Sequence, residues 1–411
     1  MKKTLLSLAF IMVAYLSNAQ WIEQNSGSTH WFNSISFVDV NTGWICGISS
    51  DPLLIHTTDG GANWIPQDLP ISVFYGEVTF LDANNGWACG QNGTLLKSTD
   101  GGESWSQLTI DMTGTLQSVF FADESNGWCV GQGGKIFHSA DGGDTWVLQN
   151  SGSDKYLIRT RFLNNMVGWA TGIQGTVLYT NDGGETWVTQ ASNTGFDVTS
   201  ISIIDENNVW LGSVLGGGGK NAAFDNGAVL HTSDAGTTWE VQYTSTEQVN
   251  TVSFVSLEKG WFFGSNGTIM NTVDGGVTWE TQYTGVSNIF AIGQMVDELN
   301  GWCTGQDGII MHNSNAVGIN DFESSQAGIQ ISNSPNPFYG NTKINFSIAE
   351  NSTVEVAVYD VIGKQVAVLL NEEMQAGNHS IDWDASSLAG GIYFCTLKSG
   401  NETVTKKMIS K

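Results

Sequence analysis

The chain has 411 residues and a formal net charge of -25, which comes from 40 acidic and 15 basic residues. This length is enough for two or three domains, and a hydrophobic content of 40% can bury a large core. A nucleic-acid clamp and an anionic-membrane binder are excluded, because both need Lys and Arg to meet phosphate groups. With 50 glycines, 5 prolines and 16 tryptophans, the composition is typical of a globular, β-rich protein.

The first residues have the order of an export signal. Lys2 and Lys3 precede an apolar stretch from Leu5 to Leu16, and small residues follow at 17–19. The stretch is too short to cross a bilayer, which needs ~20 residues. We predict a signal peptide at 1–19, a mature chain beginning at Gln20, and no transmembrane segment.

A repeat determines the predicted architecture. Tryptophans of a GW-like motif recur at successive gaps of 43, 41, 41, 41, 51 and 41 residues. They are Trp44, Trp87, Trp128, Trp169, Trp210, Trp261 and Trp302. Each unit carries about four short apolar runs separated by Gly, Asn and Asp turns. Four strands in ~40 residues indicate one propeller blade.

The seventh unit lacks its last strand, and the N-terminus supplies a match. Six units finish with a strand that begins at Trp, as in WVLQ and WVTQ, and Trp21-Ile22-Glu23-Gln24 at the start of the mature chain has the same pattern. This strand is expected to complete blade seven, because an open ring would leave exposed strand edges. The predicted fold class is all-β: a seven-bladed β-propeller at 20–315, closed by its N-terminal strand, and a small Ig-like β-sandwich after it.

A second motif follows the first six GW tryptophans, with forms such as STDGGESW and TNDGGETW. It resembles the Asp-box (BNR) repeat, and the unit as a whole resembles the propeller of photosystem II stability/assembly factors. The resemblance implies a structural role for the Asp and the closing Trp of each copy. These are Asp59, Asp100, Asp141, Asp182, Asp234 and Asp274, with Trp64, Trp105, Trp146, Trp187, Trp239 and Trp279.

The residues of the turn support the same role. A carboxylate at the start of a tight turn accepts backbone N–H bonds, and the following Gly permits a positive φ. Calcium binding is the alternative, although no turn supplies the several oxygen ligands that calcium takes. We therefore expect no metal and no cofactor.

The tail is a second domain. Residues 316–330 are small and polar and are predicted to be a linker. Residues 331–411 show short alternating strands typical of a β-sandwich. They resemble the type A sorting domain of the type IX secretion system, with Pro335-Asn336-Pro337, 358–364, Gly391-Ile392-Tyr393 and the terminal 406–411 as the matching residues.

This resemblance implies a partner and a location. Such a chain is exported to the periplasm, crosses the outer membrane through the type IX machinery by its tail, and is released or anchored at the surface. The alternative is an ordinary accessory sandwich that binds a ligand. We expect a secreted or outer-membrane surface protein.

Five cysteines are present, and four of them follow a GW tryptophan by one or two residues, so they are expected to fill strands as small apolar residues. A Cys46–Cys89 disulfide is the alternative. The absence of a CxxC motif or a Cys/His cluster argues against structural zinc.

Familiar catalytic patterns are missing. A sialidase needs an arginine cluster, and this chain has two arginines. No G-x-S-x-G motif occurs, and the Gly216–Lys220 run lacks the first Gly and the Ser or Thr of a phosphate loop. The carboxylates of the turns repeat between blades, as a structural role predicts. No catalytic residue is assigned.

Departures from the repeat point to a binding site. On the innermost strand of blade four, Arg159 and Arg161 stand where the other blades have mostly small residues, with Glu77 at the Arg159 position of blade two. We expect the arginines to point into the channel mouth, where they hold a ligand carboxylate bidentately. The alternative is pairing with acidic neighbours such as Glu77 or Asp154.

The second departure is a glycine-rich insertion in blade five, around 214–226, which contributes Lys220 and Phe224 as ligand-binding candidates. A tolerated flexible loop is the alternative. The predicted function is a non-enzymatic binding or scaffold propeller that recognises protein or glycan. The alternative is a secreted glycoside hydrolase with a carboxylate pair on one propeller face.

Overall fold

A computed structural model shows the chain as two compact units, 1–314 and 315–411. It describes residues 21–48, 53–215, 226–314, 330–334, 338, 340–360, 364–386, 388, 391–400 and 402–410. The predicted signal peptide, most of the predicted linker, and Lys220 and Phe224 of the insertion lie outside the described residues.

The described residues form 35 β-strands and four three-residue 3-10 turns, at Gln91–Gly93, Gln132–Gly134, Ile173–Gly175 and Gln306–Gly308. Within this part of the chain, no helix has the length and apolarity needed to span a membrane. The strands, in chain order, are β1 (Ile22–Gln24), β2 (Trp31–Phe37), β3 (Gly43–Ile48), β4 (Leu54–Thr57), β5 (Ile65–Gln67), β6 (Tyr75–Phe80), β7 (Gly86–Gly90), β8 (Leu95–Ser98), β9 (Ser106–Gln107), β10 (Leu116–Phe121), β11 (Gly127–Gly131), β12 (Ile136–Ser139), β13 (Val147–Gln149), β14 (Leu157–Phe162), β15 (Gly168–Gly172), β16 (Val177–Thr180), β17 (Val188–Thr189), β18 (Asp197–Ile203), β19 (Val209–Val214), β20 (Gly227–Thr232), β21 (Glu240–Ser245), β22 (Val249–Phe254), β23 (Gly260–Gly264), β24 (Ile269–Thr272), β25 (Glu280–Gln282), β26 (Phe290–Met295), β27 (Asn300–Gly305), β28 (Ile310–Ser314), β29 (Gln330–Ser334), β30 (Asn341–Ile348), β31 (Ser352–Asp360), β32 (Gln365–Met374), β33 (Gly377–Asp384), β34 (Gly391–Ser399) and β35 (Glu402–Ser410).

The first unit is the predicted seven-bladed propeller. Six four-stranded antiparallel sheets follow one another along the chain, from β2–β5 (blade 1) to β22–β25 (blade 6), and each runs from an inner strand to an outer strand in sequence order. Blade 7 has the order β1-β28-β27-β26, so the N-terminal strand is its outer strand. The pairs Ile22↔His312 and Gln24↔Ile310 fix its register.

An aromatic stack repeats between blades because each inner strand ends in a large apolar residue. Phe80 of blade 2 stacks on Trp44 of blade 1, with ring centroids 3.5 Å apart, and meets the closing Trp105 of its own blade edge-on at 5.8 Å. The same pair of contacts recurs at Phe37, Phe121, Phe162 and Phe254. These phenylalanines are buried, so they are core residues.

A tryptophan hydrogen bond joins most consecutive blades. The indole N–H of Trp128 in blade 3 donates to the carbonyl of Gly183 in the Asp-box turn of blade 4, at 3.1 Å. Trp44, Trp87 and Trp302 make the equivalent bond to the next blade. Trp169 and Trp210 reach the next turn through the amides of Gln190 and Gln242. The repeated outer-strand Gln is therefore part of this connection.

The interface between blades 6 and 7 differs, because blade 7 has no Asp-box turn. The indole N–H of Trp261 is buried there without a hydrogen-bond partner in the described part of the chain, and so are both amide atoms of Asn313. Asn313 pairs with Gly301 as Thr57 pairs with Gly43, so it occupies the position that precedes an Asp-box turn in the other blades. The N-terminal strand thus closes the sheet but does not replace the missing turn.

Histidines alternate around the ring. In blades 1, 3, 5 and 7 a histidine of the third strand stacks on the GW tryptophan, with centroid distances of 4.6, 4.7, 4.2 and 4.2 Å. They are His56, His138, His231 and His312. Burial lowers the pKa of each imidazole, and it lowers that of His312 to about 4. These rings are held neutral by their packing.

All five cysteines are buried and free, so the possible Cys46–Cys89 disulfide is absent. The thiols sit inside the sheets, and burial raises the pKa of Cys46 and Cys395 to about 12. They act as small apolar residues.

The second unit is a two-sheet sandwich. One sheet has the order β29-β30-β33 and the other β32-β31-β34-β35. Residues of both sheets, such as Ile344, Phe346, Val356 and Leu397, share one buried cluster. Strand β30 alternates exposed and buried residues along its length, as the sequence pattern predicted.

The tryptophan connection can be tested by a matched pair of substitutions. Trp128→Phe removes the bond to Gly183 and should lower the free energy of unfolding by about 1 kcal/mol beyond the packing loss. Trp261→Phe makes the same change in size but removes an N–H that has no hydrogen-bond partner among the described residues, so it should cost less. Urea unfolding of both variants measures the difference. Equal losses would contradict the connecting role of the indole N–H.

The histidine stack predicts a loss of stability in mild acid. A His whose pKa is lowered by folding stabilises the fold above its unfolded pKa of about 6.5. That stability is lost as pH falls toward the folded pKa, about 4 for His312. The urea midpoint should fall between pH 6.5 and 4, and His312→Gln should flatten that slope. The slope below pH 4, where paired carboxylates protonate, should be unchanged in the variant.

Candidate functional site

At the centre of the ring, the inner strand of each blade has backbone amides that no neighbouring strand of its sheet can bond. Each has one edge paired with the second strand of its blade, and its other edge faces the axis. Side chains of the preceding blade bond the free amides. Ser34 and Ser36 of blade 1 accept from the amides of Val78 and Phe80 of blade 2, at 3.1 and 2.9 Å.

The same device recurs around the ring. It joins Ser118 to the amide of Thr160, Ser200 to Val252, Ser202 to Phe254, Ser253 to Met295, and Gln294 to Phe37. The small residues that most blades have at these positions therefore provide oxygen acceptors.

Blades 2 and 4 depart from this pattern and meet across blade 3. The Glu77 carboxylate of blade 2 receives Arg159 Nη1 and Arg161 Nη2 of blade 4 on Oε1, each at 2.7 Å. Its Oε2 accepts from the amide of Val119 at 3.0 Å and from the hydroxyl of Ser118. Glu77 thus bonds the next blade as a serine would and also holds both arginines of the chain.

The carboxylate of Glu77 is kept ionised by its partners. Its side chain is 2% exposed, and burial alone would raise its pKa. The charges of Arg161 and Arg159, together with hydrogen bonds from Arg161 and Ser118, outweigh that effect and lower the pKa below its usual value. One buried carboxylate between two guanidiniums leaves the cluster with a net charge of +1.

The two arginines differ in what they present to the channel. Arg159 is mostly buried, and its Nε also donates to the carbonyl of Thr199 in blade 5, at 3.3 Å. Arg161 is 27% exposed, and its guanidinium lies 5.6 Å from the ring centroid of Phe120. Each guanidinium has five N–H donors, so donors remain beyond the described bonds. Both arginines and Glu77 line a central cavity of about 240 Å³.

The sequence placed these residues only in part. It offered Glu77 and Asp154 as partners for the arginines. Glu77 is the partner of both arginines. The Oδ1 atom of Asp154 instead lies 3.7 Å from the Nζ atom of Lys155. Phe120, which packs beneath Arg161, and Gln294, which bonds blade 1, stand at the aligned position of Arg161 in blades 3 and 7. Both follow the same turn spacing as Arg161, so the repeat itself carries the signal for their position.

The Asp-box carboxylates are occupied within their own turns. Asp182 accepts from the Thr180 hydroxyl at 2.7 Å and from the amide and hydroxyl of Thr186 at 2.9 and 2.6 Å. The hydroxyl of Thr186 and the other hydrogen bonds lower the pKa of Asp182 to about 2. The second glycine of the turn, Gly184, has φ +89°, and a Cβ there would collide with Gln149.

The other boxes repeat these bonds, at Asp59, Asp100, Asp141, Asp234 and Asp274. The described residues contain no group of three or more His, Cys, Asp or Glu side chains placed to hold a metal.

The buried cluster can be tested by restoring the repeat. Glu77→Ala leaves two guanidiniums without their counter-charge and should lower the free energy of unfolding by about 3–5 kcal/mol. The triple variant Glu77→Ser, Arg159→Ser, Arg161→Ser replaces the cluster with the hydroxyl groups of the other blades. It should unfold at a higher urea concentration than the single variant. A triple variant that is less stable than Glu77→Ala would contradict this interpretation.

Two family models match the chain. The model for photosynthesis system II assembly factor YCF48 matches residues 62–155 and 238–364, which together exceed half of the chain. The secretion system C-terminal sorting domain model matches residues 334–411. No curated protein matches the chain.

Solved propeller structures are similar at low identity. YCF48 bound to D1 peptide is 20% identical with a TM-score of 0.59, over 71% of this chain and 96% of that one. PorZ, an essential bacterial surface component of the type IX secretion system of Porphyromonas gingivalis, is 13% identical with a TM-score of 0.54, over 93% of this chain and 59% of that one. The GH74 enzyme of Niastella koreensis is 12% identical with a TM-score of 0.55, over 94% of this chain and 68% of that one.

At these identities the structural likeness shows the fold alone. The family matches carry more, since the first covers more than half of the chain and the second covers its C-terminal residues 334–411. The chain belongs to the family of photosynthesis system II assembly factor YCF48, and it carries a secretion system C-terminal sorting domain.

Proposed function

We propose that the chain is a secreted or cell-surface, non-enzymatic binding propeller that recognises a protein or glycan at the channel mouth around Arg161. The observation that carries the proposal is the cluster of Arg159, Arg161 and Glu77. It departs from the repeated acceptors of the inner strands, has a net positive charge and includes a partly exposed guanidinium. A structural role alone would be met by the serines of the other blades.

The scaffold suits recognition. The channel residues lie on inner strands that neighbouring blades fix on both sides, so a ligand would meet a preformed surface. A structure of YCF48 carries a D1 peptide, which supports peptide as one class of ligand for this propeller. A YCF48-like assembly role would here act outside the cell.

The C-terminal sorting domain implies export to the cell surface or secretion. We propose that residues 331–411 engage the type IX machinery and that the propeller is the cargo. The proposal agrees with the segments assigned from the sequence, which are a propeller at 20–315, a linker at 316–330 and a sorting domain at 331–411. The signal peptide at 1–19 would supply the first export step.

The alternative is a secreted glycoside hydrolase, the class of the GH74 enzyme with a similar fold. Glycosidases use two carboxylates about 5–10 Å apart. The central cavity has Glu77 as the one carboxylate among its described lining residues, and two arginines are paired with it. Since the Asp-box carboxylates are bonded within their turns, these observations favour binding over hydrolysis.

An array experiment tests the proposal. The full chain is applied to glycan, polysaccharide and peptide arrays, and both bound protein and released reducing ends are measured. We expect binding without released sugar, weakened at least about tenfold by Arg161→Ser because a charge-assisted contact is lost. The control Lys155→Ser removes a surface cation and should bind as the wild type does. Released reducing ends would overturn the proposal in favour of the hydrolase.

A further inference from the structure

At the interface between blades 4 and 5, the two aligned side chains of blade 4 offer no oxygen acceptor to the inner strand of blade 5. In the ladder of blade 5, Ile201 pairs with Leu211 and Ile203 with Val209, as Val78 pairs with Ala88 and Phe80 with Gly86 in blade 2. The amides of Ile201 and Ile203 therefore take the position of the amides that Ser34 and Ser36 bond in blade 2. They point toward the preceding blade and the axis.

The preceding blade offers these amides only donors. Its residues at the two serine positions are Arg159 and Arg161, and an arginine has five N–H donors and no acceptor. Arg159 instead donates to the carbonyl of Thr199, and Arg161 turns toward Glu77 and the ring of Phe120. At this interface the repeat has exchanged two oxygen acceptors for two positive donor groups.

We propose that a ligand carboxylate supplies the missing oxygens, with one oxygen on the guanidinium of Arg161 and the other on the amide of Ile201. This inference rests on the proposed function and names the chemistry that its site recognises. Arg161, Glu77, Ile201 and Ser202 all line the same central cavity of about 240 Å³, which has room for a carboxyl group and a short stem.

Charge favours the same ligand. The cluster of two guanidiniums and the Glu77 carboxylate has a net charge of +1, so one carboxylate makes the occupied site neutral. The overall charge of -25 repels anions at long range, but physiological salt screens exposed charges beyond ~8 Å. A ligand in contact with Arg161 is partly shielded from solvent, and charge-assisted hydrogen bonds are strong in such a position.

The carboxylate has two possible sources, a free small acid and the end of a peptide chain. In the first arm of the test, the full chain is titrated with sodium acetate in a calorimeter at constant ionic strength. A titration with sodium chloride is the control. The second arm uses one short peptide prepared with a free and with an amidated C-terminus. Acetate binding without peptide binding identifies a free acid. Tighter binding of the free-acid peptide than of its amide identifies a chain terminus.

Variants separate the two contacts. Arg161→Ser should weaken binding of acetate or of the free-acid peptide at least about tenfold, and Lys155→Ser should leave it unchanged. Arg159→Ala and Arg159→Ser remove the same charge, but only serine offers an oxygen to the Ile201 amide. Serine should therefore bind the carboxylate about three- to tenfold more weakly than alanine. Thermal unfolding confirms that each variant is folded.

Three outcomes would overturn the inference: no binding of either carboxylate by the folded wild type, equal heats with chloride, or binding unaffected by Arg161→Ser. Array binding that depends on Arg161 but is not displaced by acetate would reject the carboxylate and leave the proposed function standing. Absence of both array binding and carboxylate binding would reject the two together.

Discussion

The unpaired edge of each inner strand is the constraint on which the centre of the propeller depends. Seven such edges converge near the axis, and their amides need acceptors because buried N–H groups without partners are costly. The preceding blade solves this with a short oxygen-bearing side chain, as Ser34 and Ser200 do. This one contact requires a side chain that is both short and an oxygen acceptor, which explains why serine recurs at these positions. A different residue at such a position therefore indicates a different role.

Two connections at different radii hold consecutive blades together. Near the axis, serine hydroxyls bond the next inner strand. Farther out, the GW tryptophan bonds the next Asp-box turn, directly or through Gln190 and Gln242. The outer one is absent at Trp261, where no Asp-box turn follows. The inner one lacks an oxygen acceptor at a few apolar positions as well, but in blade 4 it is replaced by two positively charged donors, Arg159 and Arg161. The loss of the outer connection at Trp261 follows from the closure of blade 7 by the N-terminal strand. The change at the arginines of blade 4 has no such cause in the topology.

The sequence predicted what is encoded locally. The tryptophan period gives the blades, and the match of the N-terminal Trp21–Gln24 to the outer strands gives the closure, because each depends on a pattern within a few residues. The roles of Ser118 and Gln190 were not predicted, since they depend on how strands of different blades are placed side by side. Pairing of Arg159 and Arg161 with Glu77 was one of two alternatives, and only the structure shows the carboxylate reaching past blade 3. The insertion with Lys220 and Phe224 stays a prediction.

The closure of blade 7 has a consequence for how the ring assembles. The indole of Trp21 donates to Gln282, a residue 261 positions away in the chain, and β1 pairs with β28. Bringing together ends this far apart costs about 5 kcal/mol of chain entropy from the logarithmic length dependence. The pairing of β1 with β28 cannot form until blade 7 exists, so folding is expected to be slow in this step. The pairing of β1 with β28 therefore comes late, and until it forms β28 presents an open edge to other chains.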